Sequence, residues 1–202
     1  MLIAVVVVNW NDTAASLRAL ESIKVRPDVL RVLVDNHSDD DPTAEVGTAL
    51  ADVVVERLST NAGYAAACNE GVRVGVARGA THVLLMNNDA ELDADALDAF
   101  AAADAEHPGS ILAPVIVFAE DPGAGWSAGA YLEPPCVRNH HLGLGEQLDR
   151  QGGARREEGA TGCALWFSIE TFRRVGPLDE AFFLYLEDGD WVEITPGKAI
   201  IH

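Results

Sequence analysis

Val83-Leu84-Leu85-Met86-Asn87-Asn88-Asp89 is an apolar run that stops abruptly in three polar residues. A strand covered on both faces reads this way when its C-terminal end opens into a cleft. Open α/β sheets bind their ligands at that end of the strands. Asp89 then stands at the sheet edge, in reach of solvent and of a hard cation. Mg²⁺ or Mn²⁺ takes oxygen ligands of this kind. A helix cap after the strand would also use an aspartate, and these residues alone do not separate the two roles.

The sequence before this run repeats its pattern. Ile3 to Val8 is a continuous β-branched run ending in Asn9-Trp10-Asn11. Asp12 is placed to cap a helix with an apolar stripe at Leu17, Leu20 and Ile23, which Pro27 stops. Val29 to Val34 reads as a second strand, ending in Asp35-Asn36-His37-Ser38. Thr43 to Leu50 reads as a short helix, Val53 to Leu58 as a third strand, and Asn61-Ala62-Gly63 as a turn. Tyr64 to Ala77 reads as a helix, and Asp93 as the cap of another that runs to about His107. Alternating strands and helices with short connections predict a parallel, doubly wound sheet. Four strands in succession end in polar residues, which favours a polar ligand along one sheet edge.

Past residue 109 the alternation stops. Ile111 to Phe118 and Thr161 to Ser168 read as strands, Ile169 to Val175 as a short helix. The 119–159 stretch has only weak pattern, as lids and binding surfaces do. Phe182 to Leu186 reads as a buried aromatic run entering the acidic cluster Glu187-Asp188-Gly189-Asp190-Trp191. Ala199-Ile200-Ile201-His202 reads as a closing strand. The expected organisation is one domain over 1–202, with an α/β half (1–109) and a mixed half (110–202).

Composition narrows the function. Lys and Arg number 14 against 32 Asp and Glu, a net charge of −18. Such a chain repels nucleic acid and anionic lipid. It has few cations to offer a phosphorylated ligand, so a metal is the economical way to hold one. No apolar run approaches the ~20 residues of a membrane span. The N-terminus reads as a strand, not a signal peptide. Cys68, Cys136 and Cys163 are far apart, as reduced thiols in a cytoplasm are. The expected location is cytoplasmic, extending to the inner face of the membrane. Neither Gly-x-Gly-x-x-Gly after the first strand nor a Walker-type Gly-Lys-Ser/Thr occurs, and there is no Gly-x-Ser-x-Gly elbow. His140-His141 reads as a solvated pair more readily than as metal ligands.

The ordered motifs resemble a known family. Val7-Val8-Asn9-Trp10-Asn11, Val34-Asp35-Asn36-His37-Ser38-Asp39, Asn61-Ala62-Gly63-Tyr64 with Asn69-Glu70-Gly71, and Leu85-Met86-Asn87-Asn88-Asp89 look like family 2 glycosyltransferases. The rhamnosyltransferase-like branch is the nearest in pattern. Thr161-Gly162-Cys163-Ala164, Val175-Gly176-Pro177-Leu178-Asp179 and Glu187-Asp188-Gly189-Asp190 continue the match in order. The resemblance implies a GT-A fold. It also implies inverting transfer of a sugar, with rhamnose a candidate, from a UDP- or dTDP-linked donor. The acceptor would be a hydroxyl of a saccharide, a lipid-linked molecule or a small molecule.

The same resemblance implies roles. Asn9, Asp35, Asn61, Gly63 and Asn88 would bind the donor nucleotide, Asp35 by accepting the N3–H of a uracil or thymine ring. Asp89 and His202 would hold Mg²⁺ or Mn²⁺, although Asn87-Asn88-Asp89 keeps one carboxylate of an Asp-x-Asp-like motif. Asp188 would be the base that takes the acceptor's proton. Glu187, Asp190 and Trp191 would be acceptor-side candidates. The alternatives are a catalytically silent nucleotide-sugar-binding protein and a sugar-phosphate nucleotidyltransferase. The second lacks its Gly-rich basic loop, because Asn9-Trp10-Asn11-Asp12 offers neither feature.

One departure stands out. Val192-Glu193-Ile194-Thr195-Pro196 reads as a strand that follows Asp190-Trp191 at once, where the family has a helix. The shortfall is roughly ten residues, about three turns. A segment missing between Trp191 and Val192 is expected, with their Cα atoms well beyond ~3.8 Å. A normal link there would favour the silent reading.

Overall fold

The computed structural model describes residues 1–133, 138–147, 159–193, 195 and 199–201. The first half alternates as expected. β1 (Ile3–Asn9), α1 (Thr13–Ser22), β2 (Val29–Asp35), α2 (Thr43–Ala49), β3 (Val54–Arg57), α3 (Tyr64–Ala77), β4 (His82–Met86) and α4 (Ala96–Glu106) follow in order. Asp12 caps α1 by accepting from the Ala15 N–H at 3.0 Å. Asp93 is not the cap of α4, which begins three residues later behind Asp95. A turn from the Ala96 N–H to the Asp93 carbonyl takes up the intervening residues.

The second half supplies β5 (Leu112–Pro114), β6 (Ile116–Val117), β7 (Gly125–Ser127), β8 (Ala130–Glu133), β9 (Arg138–His141), β10 (Ala164–Ser168), α5 (Ile169–Val175), α6 (Glu187–Glu193) and β11 (Ala199–Ile201). One large sheet takes strands from both halves, in the order β11-β5-β10-β4-β1-β2-β3. β4, β1, β2 and β3 run parallel, β10 runs antiparallel between β4 and β5, and β11 is parallel to β5. This is the mixed sheet with flanking helices of a GT-A, Rossmann-like fold. Both faces of β1 are buried, which explains its unbroken β-branched composition. Its alternate residues feed two cores, Ala4, Val6 and Val8 on the α3 side and Ile3, Val5 and Val7 on the α1 and α4 side.

Four expectations are corrected. Ile111 to Phe118 is not one strand. It breaks after Pro114, and the chain leaves the large sheet to pair β6 with β7. The 119–159 stretch, where described, holds β7, which pairs with β6, and the antiparallel pair β8–β9. Strands of two to four residues are too short to leave a periodic signature. The run Phe182 to Leu186 is not buried, and Phe183 (58 %) and Tyr185 (74 %) are largely exposed. Tyr185 and Leu186 adopt positive φ, 68° and 74°, which turns the chain outward before α6. Finally, Trp191 and Val192 are consecutive residues of α6, where the sequence reads as the start of a strand. Both are buried, Trp191 against Phe167 and Phe172, with its Nε1–H donating to the Gly176 carbonyl at 2.8 Å. Val192 and Glu193 are therefore helical, not the start of a strand. Pro196, His202 and Cys136 lie outside the described residues. No helix among the described residues is long and apolar enough to cross a membrane.

Candidate active site

The polar strand ends meet at one edge of the sheet. The Asn9 side chain is fully buried at the end of β1 and donates to Asp35 Oδ1 (2.9 Å) and Ser38 Oγ (3.1 Å). Ser16, from α1, donates back to Asn9 Oδ1 at 2.7 Å and accepts from Asn88 Nδ2 at 3.3 Å. Asp35 has no exposed surface. Its Oδ1 takes Asn9 and the Ser38 hydroxyl, and its Oδ2 takes the Ser38 N–H and the Arg57 guanidinium at 2.8 Å. A carboxylate has about four acceptor positions, and all are used. A base N–H would have to displace one of these partners to reach Asp35. The residue ties the ends of three strands together. Arg57 completes that network and also donates to the Ser38 carbonyl at 2.8 Å. Sequence reasoning passed over it, although as the last residue of a strand in this array it occupied a telling position.

The next layer is the turn before α3. Asn36 Nδ2 donates to Asn61 Oδ1 at 2.9 Å, and Asn36 Oδ1 accepts from the Ala62 N–H. Gly63 has φ 90°, and a Cβ there would stand 2.7 Å from the Phe183 carbonyl oxygen. Glycine is required on both counts. That carbonyl accepts from the Tyr64 N–H at 2.8 Å, joining the turn to the segment that leads into α6.

β4 delivers Asn87, Asn88 and Asp89 to the same edge. The Asn87 N–H donates to the Cys163 carbonyl, and Asn87 Oδ1 accepts from the Tyr64 hydroxyl at 2.8 Å. Asp89 is exposed. Burial pushes the Cys163 thiol up to about 12, and the Asp89 charge adds to it. Burial also raises the Tyr64 hydroxyl and the Cys68 thiol well above their ordinary values.

The turn before β10 then holds the acid of α6. Asp188 Oδ2 accepts from the Gly162 N–H at 2.6 Å, and its Oδ1 from the Gly189 N–H at 2.7 Å. Gly162 adjoins Cys163, which is bonded to Asn87, so Asp188 and Asp89 are anchored to neighbouring backbone. Across from Asp188, His141 bonds Ser127 Oγ at 3.2 Å and lies against Trp126, ring centroids 4.5 Å apart. Burial lowers its affinity for a proton, and the Asp188 charge opposes that. His141 is thus no free solvated side chain, as its sequence context suggested.

A sequence model described as glycosyl transferase family 2 matches residues 4–168. The chain belongs to glycosyl transferase family 2. No curated protein matches it. Among solved structures, S. aureus TarS 1-349 superposes with TM-score 0.65 at 17 % identity, over 100 % of this chain and 58 % of that one. GalNAc-T7 with UDP, GalNAc and Mn²⁺ superposes with TM-score 0.78 at 15 % identity, over 99 % of this chain and 41 % of that one. TarS 1-349 in complex with UDP-GlcNAc gives 0.63 at 15 %, over 100 % and 56 %. These likenesses concern the fold. The chain spans about half the length of those structures.

Within the family 2 frame, the sequence-derived residues fall into three groups. Asn9, Asp35, Asn61, Gly63, Asn88 and Asp89 gather along the edge formed by the ends of β1 to β4, and Asp188 joins them through Gly162. Trp191 is a core residue, its ring enclosed and unavailable to an acceptor. Glu187 is buried, and Asp190 is exposed. His202 lies outside the described residues. Among the described residues no group of three His, Cys, Asp or Glu side chains stands ready to hold a metal. One exposed carboxylate suits a cation shared with a diphosphate, because Mg²⁺ typically binds through one or two carboxylates plus substrate phosphates. It does not suit a cation held by protein groups alone.

Proposed function

We propose that this chain is an inverting glycosyltransferase, moving a sugar from a nucleoside diphosphate sugar to a hydroxyl acceptor with Asp188 as the base. The observation that carries the reading is Asp188 pinned on the Gly162 N–H, beside the strand end that presents Asp89. Two backbone donors fix one rotamer of the carboxylate. A base placed in this way can take the acceptor's proton as its oxygen attacks the anomeric carbon. Asn61, Gly63 and Asn88 line the donor side. Asp35 acts through the network it organises, holding Asn9, Ser38 and Arg57 in register for the nucleotide. His141, on β9, lies within reach of the Asp188 charge and packs on Trp126 of β7, and the pair suits the acceptor side. Asp89, with His202, would hold Mg²⁺ or Mn²⁺ against the donor diphosphate. A bound cation supplies charge neutralisation of the departing nucleoside diphosphate. A UDP- or dTDP-linked donor follows from the motif resemblance, as does rhamnose as a candidate sugar. A location in the cytoplasm, or at the inner face of a membrane, rests on the reduced cysteines and the sequence pattern.

The silent binding protein is the second reading. The shortness of α6, seven residues, speaks for it. The helix that forms speaks against it, because α6 still begins at Glu187 and delivers Asp188. A thermal-shift screen of nucleotide sugars, with and without Mn²⁺, tests the donor half. A ligand at 100-fold excess over its Kd adds about 2.7 kcal/mol. For a chain of this size that raises Tm by roughly 5–10 °C. A UDP- or dTDP-sugar should do so, and more with Mn²⁺. A flat response to every nucleotide sugar would overturn the reading. Transfer in a coupled assay separates the enzyme from the silent binder.

A further inference from the structure

Glu187 precedes Asp188 at the start of α6, yet the two carboxyls live in opposite surroundings. Asp188 receives two backbone N–H groups. Glu187 is 5 % exposed, and its Oε2 is buried with no hydrogen-bond partner. No Lys, Arg or His among the described residues pairs with it. From α3 it faces the Tyr64 hydroxyl and the Cys68 thiol, both kept neutral by burial. On its own helix Asp188 adds a negative charge, and Asp190 is turned to solvent. Cys163 and Asp89 lie beyond Tyr64 on the cleft floor, and His141 faces Asp188 from the other side.

We propose that Glu187 is a positioning residue that works as a buried, uncharged carboxylic acid, so that Asp188 alone carries charge against the Gly162 amide. An ionised carboxylate at a buried position is tolerated only with a counter-charge or hydrogen bonds to both oxygens. Oε2 has neither. Glu187 therefore holds its proton. Burial, with the Asp188 charge, raises Glu187 from its ordinary 4.5, against the opposing pull of its own backbone N–H. Ionising Glu187 would set a second anion beside Asp188 and loosen the first turn of α6.

The sign of the pH effect follows. Folding raises the proton affinity of this carboxyl, so its stabilising contribution is complete below about 4.5. It is lost as pH rises through the raised folded value. The experiment compares wild type, Glu187→Gln and Glu187→Met in two arms between pH 5 and 9. Melting temperature should fall with pH in the wild type by a component that both neutral variants lack, leaving them at least as stable above neutrality. Parallel melting curves, or both variants melting lower at every pH, would overturn the proposal. The kinetic arm rests on the transferase reading. There the falling high-pH limb of the rate profile should move up by at least one pH unit in Glu187→Gln. An unmoved limb, or a loss as deep as that of Asp188→Asn, would also overturn it. If the wild type transfers no sugar, the transferase reading fails and the melting arm alone decides the state of Glu187.

Discussion

At the scale of single residues, the site is held by close backbone contacts more than by charge. Gly162 shows this best. A Cβ there would stand 2.7 Å from both Cβ and Oδ2 of Asp188. Gly162→Ala should therefore displace the carboxylate. Overpacking costs about 1–3 kcal/mol, and a misplacement near 1 Å costs roughly 10² in rate. Melting and kcat measured together check this, and a wild-type kcat would mean that Gly162 does not place Asp188. Motif order made Asp188, Asp89, Asn61 and Gly63 visible in the sequence, because each follows a strand, makes a turn or opens a helix. Arg57 was not visible, since its partners Asp35 and Ser38 are remote in sequence. Nor was the burial of Glu187, because an acidic residue in an acidic cluster looks solvated until the helix face is known. The saturation of Asp35 likewise depends on three strands meeting.

At the scale of elements, the polar strand ends were the readable signal, and α3 is what holds them level. Its Gly71 lies so close to β1 that a Cβ would stand 2.1 Å from Val6 Cγ1. Gly71→Ala should force α3 off the sheet and lower stability by about 1–3 kcal/mol or more. Denaturant unfolding would show a lower midpoint at an unchanged slope, and an unchanged midpoint would mean that the helix has room to spare. The parallel strands β1, β2 and β4 were legible because burial on both faces leaves long apolar runs. The elements past residue 109 were less so. Pro114 divides one apolar run between two sheets, and the hairpin strands are too short for periodicity to register. The Phe182–Leu186 run misled because apolar composition does not specify a face. Two positive φ values, at Tyr185 and Leu186, turn it outward.

At the scale of the whole molecule, the net charge of −18 would set the terms on which the proposed donor diphosphate binds. Arg57 is committed to Asp35 and the Ser38 carbonyl. Donor binding should therefore depend on a divalent cation through the exposed Asp89. Calorimetry of a nucleoside diphosphate against wild type and Asp89→Ala, with and without Mn²⁺, should show tight binding in one condition of the four. Equal affinity in all four would remove the metal from the account. The central claim, that this family 2 chain transfers a sugar with Asp188 as base, meets its most direct test in Asp188→Asn. Donor affinity and transfer rate are measured on the same preparation. Affinity should stay near that of the wild type while transfer falls by ~10²–10⁴, the usual worth of a general base. Near-normal transfer by Asp188→Asn would contradict the claim.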